Sequence, residues 1–203
     1  MVVDSGVDAI GLNFYPQSKR FVDRPTARLL RAAIPDEIEV VGVFVNCAAV
    51  EVVQTAKEVK LTAIQFHGDE SAEQILNVQQ QCPTLKILRA FRLSDSNFDE
   101  TVAQVKRLKD AGVSLSAVLV DAFVAGEFGG TGHQLDHALI QRLPTDWPPL
   151  VVAGGLNADN VADCISAVRP WGVDVASGVE SEPGIKSPDK TKRFVESVRN
   201  SRR

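Results

Sequence analysis

The chain has 203 residues, with 22 Lys and Arg against 26 Asp and Glu for a net charge of −4, and 44% of it is hydrophobic. This is enough apolar material for a large core in one domain, and it excludes disordered, collagen-like and disulfide-scaffold classes. Scattered cations on an acidic chain argue against nucleic acid as a partner, and no apolar run reaches the ~20 residues that a membrane span needs.

Taken in chain order, Met1-Val-Val-Asp-Ser-Gly6 reads as the end of a helix stopped by Gly6, without the pattern of a signal peptide. Short runs rich in Val, Ile, Leu and Ala follow at residues 8–13, 39–44, 62–66, 86–90, 117–121, 150–153 and 173–176. They read as strands. Amphipathic stretches lie between them. Pro25 suits a first helical turn before residues 26–33, and Ser71-Ala-Glu-Gln74 is a capping box before Ile75, Leu76 and Val78. Asn157 is an N-cap candidate for a helix with Val161, Ile165 and Val168 on one face, which Pro170 ends.

The strand runs start at residues 8, 39, 62, 86, 117, 150 and 173, far enough apart for a helix in every interval. The pattern is one of successive βα units with parallel strands. An open doubly wound sheet and a closed (βα)8 barrel both use it. No Gly-x-Gly-x-x-Gly follows the first strand, whereas glycines cluster after the last three, at Gly129-Gly-Thr-Gly132, Gly154-Gly155 and Ser177-Gly178. That favours an α/β TIM barrel over residues 1–203 as a single domain, with the first strand and most of the first helix absent from the chain.

Backbone N–H groups around Gly154, Gly155, Ser177 and Gly178 would form an anion cradle at one rim, helped by a helix starting at Ser177 or Gly178. Tight βα turns are the plainer reading of any one glycine pair. Asp121 ends a strand, where a carboxyl can serve as general acid if its surroundings favour the protonated form; an N-cap or loop-ordering role is the alternative. Arg20, in the loop after the first strand run, could clamp a carboxylate in two-pronged fashion, and Phe14, Tyr15 and Phe21 beside it hint at a pocket for a flat ring. His67 reads as a structural histidine, and His133 and His137 flank Asp136 as surface residues of a helix. Cys47, Cys82 and Cys164 are an odd set without metal-type spacing, which fits a reducing cytoplasm.

Gly11-Leu-Asn-Phe-Tyr-Pro-Gln-Ser-Lys-Arg20, Gly42-Val-Phe-Val-Asn46, Gln65-Phe-His-Gly-Asp-Glu70, Val120-Asp121, Gly129-Gly-Thr-Gly132, Ala153-Gly-Gly-Leu-Asn157 and Val173-Asp-Val-Ala-Ser-Gly-Val-Glu180 together resemble the phosphoribosylanthranilate isomerases. Pro183-Gly-Ile-Lys-Ser-Pro188 extends the likeness. The resemblance implies a barrel of the ribulose-phosphate-binding type and an Amadori rearrangement in tryptophan biosynthesis, without cofactor or metal, on a small phosphorylated substrate, by a cytoplasmic monomer or homodimer. It implies Asp121 as general acid on the furanose oxygen and Arg20 on the anthranilate carboxylate. The backbone at Gly154, Gly155, Ser177 and Gly178 would hold the phosphate, and Asp174 belongs to the same motif.

The family's base is a cysteine in a Lys-Ile-Cys-Gly-like segment, and this sequence contains no such segment. Leu135 and His137 also stand where the family has an aromatic pair. The chain is therefore expected to be weakly active and poorly stable by itself. A non-catalytic sugar-phosphate-binding barrel is the alternative reading. A different sugar-phosphate barrel enzyme is a third, disfavoured by the lack of a strand-end lysine.

Overall fold

In the computed structural model residues 2–121 and 137–201 are described, and the chain forms two compact units. One holds residues 6–90 and 105–116. Its elements alternate: β1 (Ala9–Asn13), α1 (Arg24–Ala32), β2 (Glu39–Phe44), α2 (Ala49–Val59), β3 (Ala63–Phe66), α3 (Ala72–Gln81) and the start of β4 (Lys86–Arg92). The strands are parallel and lie in chain order, with Ala9 opposite Glu39, Val41 opposite Ala63, and Ala63 opposite Lys86. All four residues of β3 are buried, as parallel strands covered on both faces require, and Phe44, Ile64, Phe66 and Ile87 make the centre of this core.

The second unit holds residues 91–104, 117–121 and 137–201 with the N-terminal 3-10 turn Val3–Ser5. It contains most of β5 (Leu115–Asp121), then α5 (His137–Gln141), β6 (Leu150–Ala153), α6 (Val161–Val168), β7 (Gly172–Val173), the small antiparallel pair β8 (Glu180–Glu182) and β9 (Ile185–Lys186), and α7 (Pro188–Asn200). β5, β6 and β7 are parallel neighbours, with Val118 opposite Leu150 and Val151 opposite Gly172. α4 (Phe98–Asp110) links the units in sequence and buries Phe98, Thr101, Val105 and Leu108, one face at helical spacing. Among the described residues no helix is long and apolar enough to cross a membrane.

The expected strands recur within two residues, except the last. β7 ends at Val173 because the chain leaves the ladder at Asp174, whose N–H still donates to Val152 O, and turns into a 3-10 segment. α1 starts at Arg24 with Pro25 in its first turn, as expected, and Asp23 accepts from Thr26 N. The expected helix start at Asn157 moves to Val161. Asn160 Oδ1 takes the Asn157 N–H and Asn157 Oδ1 takes the Asp159 N–H, a local side-chain turn that competes with a first helical turn. Only half of the expected capping box forms: Ser71 Oγ accepts from Gln74 N, while the Gln74 side chain donates to Cys47 O. The opening residues form a 3-10 turn closed by Gly6 at φ +78°.

Candidate functional site

The C-terminal ends of β5, β6 and β7 bring three predicted positions to one rim. Asp121, half-buried, is the last residue of β5, and its register partner is Ala153, the residue before Gly154. The main chain of Asp121 is pinned by Leu93 N–H, which donates to its carbonyl at 3.1 Å. Asp174 stands one residue past β7, tied to β6 by its N–H. As a residue Asp174 is solvent-exposed, yet protein atoms crowd its carboxyl group. That crowding pushes its pKa up and the Asp121 carboxylate adds to the rise, while the Lys186 ammonium and a hydrogen bond from the Val175 backbone oppose it.

Gly154 and Gly155 follow β6 at φ +95° and +60°, a left-handed pair that side chains other than glycine adopt only at a cost. Gly178 is fixed by a different constraint. A Cβ there would lie 1.9 Å from the carbonyl oxygen of Leu156, so the turns after β6 and β7 touch main chain to main chain. The helix expected at Ser177 is a single 3-10 turn, Ser177–Val179, too short to carry a helix dipole of any size.

Arg20 belongs to the first unit, in the loop after β1. That loop is closed by a bridge between Asn13 and Phe21 and by Val22 N–H donating to Asn13 O at 2.8 Å. Arg20 is half-buried, and its backbone N–H donates to Ser18 Oγ. Of the aromatics beside it, Phe14 stacks on buried Phe44 at 5.1 Å, Tyr15 donates its hydroxyl to Gln17, and Phe21 is 44% exposed.

His67 is half-buried with Nδ1 3.3 Å from Gln65 Nε2, in keeping with a structural role. Cys47 lies in the loop after β2, Cys82 caps α3 and Cys164 is buried in α6. Burial raises all three thiols, Cys164 to about 11 and Cys47 with help from Glu51, so none is a ready thiolate. Gly129-Gly-Thr-Gly132, His133, Leu135 and Asp136 lie outside the described residues, as does the side chain of His137. Among the described residues no three His, Cys, Asp or Glu side chains gather as a metal would need.

One polar cluster escapes a sequence reading. Glu70 has 0% and Arg89 5% of its side chain exposed, and they pair at 2.7 Å. Glu70 also accepts from Asn46 N and Gly68 N, and Arg89 donates to Gly68 O at 2.6 Å, so one carboxylate and one guanidinium tie together the loops after β2 and β3. The signal was an arginine inside the apolar run of β4, since a charge there requires a buried partner.

Residues 1–197 match the family model described as N-(5'-phosphoribosyl)anthranilate isomerase. The chain belongs to the phosphoribosylanthranilate isomerase family. Its isomerase relatives include that of Bordetella petrii, 42% identical over 203 residues covering 98% of this chain and 88% of the relative. That of Myxococcus xanthus is 40% identical over 197 residues, covering 97% and 88%. The solved phosphoribosylanthranilate isomerase of Thermotoga maritima superimposes with a TM-score of 0.84 at 33% identity, over 98% of this chain and 91% of that one. A second isomerase structure, in complex with reduced 1-(o-carboxyphenylamino)-1-deoxyribulose 5-phosphate, gives 0.82 at 32% identity, over 98% and 91%. The fold is therefore of the α/β, (βα)8-barrel type of these isomerases, with strands β1 to β7 of that pattern among the described residues.

Proposed function

We propose that Asp121 is the general acid, Arg20 the carboxylate clamp and the main chain at Gly154, Gly155, Ser177 and Gly178 the phosphate grip of an Amadori isomerase. The chain is an isomerase of tryptophan biosynthesis, converting N-(5-phosphoribosyl)anthranilate into 1-(2-carboxyphenylamino)-1-deoxyribulose 5-phosphate. The observation that carries the assignment of roles is the register of Asp121 opposite Ala153, which sets an acid directly beside the left-handed glycine pair. A phosphate bound there would hold the sugar ring near the acid, converting binding energy into orientation.

Asp121 gives a proton to the furanose oxygen as the bond from that oxygen to C1 breaks and the anilino nitrogen forms a C=N bond. Loss of the C2 proton then sends its electrons toward C1 and the nitrogen, and tautomerisation yields the C2 ketone. Asp174, one residue past β7 on the same rim and with its pKa raised by its surroundings, is assigned to substrate binding. The base is not assigned to Cys47, Cys82 or Cys164, since none belongs to a strand. A reducing cytoplasm is the proposed setting, which three free thiols support. The proposed assembly is a monomer or homodimer, in line with a Thermotoga maritima relative described as dimeric.

The test compares Asp121→Asn with the parent chain in turnover, followed by loss of anthranilate-type fluorescence, and in binding of the reduced product analogue. Turnover should fall about 10²–10⁴-fold with binding retained. Equal, measurable turnover in the two would remove Asp121 from the acid role.

A further inference from the structure

Behind the turn that carries Ser177 and Gly178 lies a set of hydrogen bonds that no step of the isomerisation uses. Lys186, in β9 and half-buried, donates from Nζ to the carbonyl of Ala176 at 2.9 Å and to Oε1 of buried Glu180 at 3.0 Å. Lys190 Nζ donates to Glu180 O at 2.8 Å, and Ser187 N–H donates to Val179 O at 2.8 Å. The carbonyls of Ala176, Val179 and Glu180 are thus all taken up by the segment from β9 to the first turn of α7.

The bond to Ala176 has a directional consequence. A trans peptide unit is planar, so the Ala176 C=O and the Ser177 N–H point in opposite directions from the same plane. Holding the carbonyl therefore fixes where the N–H points, and a cation on the carbonyl oxygen polarises the unit and strengthens the donor. Ala176 lies at φ −113°, ψ −80°, outside helix and strand geometry, so neither ladder nor helix sets this peptide. The lysine does so instead.

We propose that Lys186 is a positioning residue for phosphate recognition: by holding the Ala176 carbonyl, with Glu180 as its buried counter-charge, it aims the Ser177 N–H at the phosphoryl group of the substrate. The inference rests on the main-chain grip assigned above. It also explains why a glutamate and a lysine meet in so short a hairpin, where a neutral pair would close the strands as well.

The experiment measures binding of the reduced product analogue with and without its 5-phosphate. The parent chain should prefer the phosphorylated form. Lys186→Met, which keeps the aliphatic stem and removes the donor, should bind the phosphorylated analogue about 10- to 100-fold more weakly and leave the dephosphorylated one unchanged. Lys186→Arg should recover most of the loss. Because Lys186→Met strands the Glu180 charge, the double variant Lys186→Met/Glu180→Gln is the control for folding, and it should lose the phosphate preference too. A parent chain indifferent to the phosphate overturns the grip itself. A parent that discriminates alongside Lys186 variants that discriminate equally, or that lose both analogues in parallel, overturns the role of Lys186.

Discussion

The carboxyl of Asp174 is crowded by protein and faces a second carboxylate, and both influences raise its pKa. The folded chain therefore holds this proton more tightly than the unfolded chain, whose carboxyl titrates near ~3.9. Below that pH the residue costs nothing; as pH rises through the folded value the cost of ionising it grows, and above that value it is complete. Asp174→Asn removes the charge. We expect a higher Tm than the parent at pH 7, with the gain shrinking as pH falls toward ~4; a lower Tm at pH 7 would contradict the assignment. The added stability should come at the expense of turnover, since strained or unfavourably ionised groups are retained at sites where they work.

Among the elements, β2, β3 and β4 show what a sequence reveals and what it hides. Their positions were legible because Val, Ile, Leu, Ala and Phe dominate each run, as strands buried within a parallel sheet require, and Glu39–Phe44 has its expected bounds to the residue. β7 was legible only in part, since its last expected residues are spent on the turn after Val173, whose shape is set by hydrogen bonds from β9 and α7. The glycine pair and the strand-end Asp121 could be read locally. The Lys186–Ala176 and Glu70–Arg89 contacts could not, because 10 and 19 residues separate their members. Arg89→Met tests the second contact at this scale. It leaves Glu70 enclosed without its cation, a loss of about 3–5 kcal/mol. For a chain of this size that corresponds to a fall in Tm on the order of 10 °C. Arg89→Met/Glu70→Gln should recover part of the fall, and a single variant as stable as the parent would show the pair to be dispensable.

At the scale of the whole molecule, a bound ligand adds stability by linkage. A compound that binds only the folded form at 100 times its Kd adds about 2.7 kcal/mol of stability. The reduced product analogue should thus raise Tm by roughly 5–10 °C. No shift at a saturating concentration would contradict substrate recognition by this chain. The contact of Gly178 with Leu156 O also bears on how such recognition can be mapped. A grip made of main chain has no side chains to delete, so truncation to alanine along these turns would return silence at most positions. At Gly154, Gly155 and Gly178 alanine is the larger residue, and only such additions can reveal the surface that meets the phosphate.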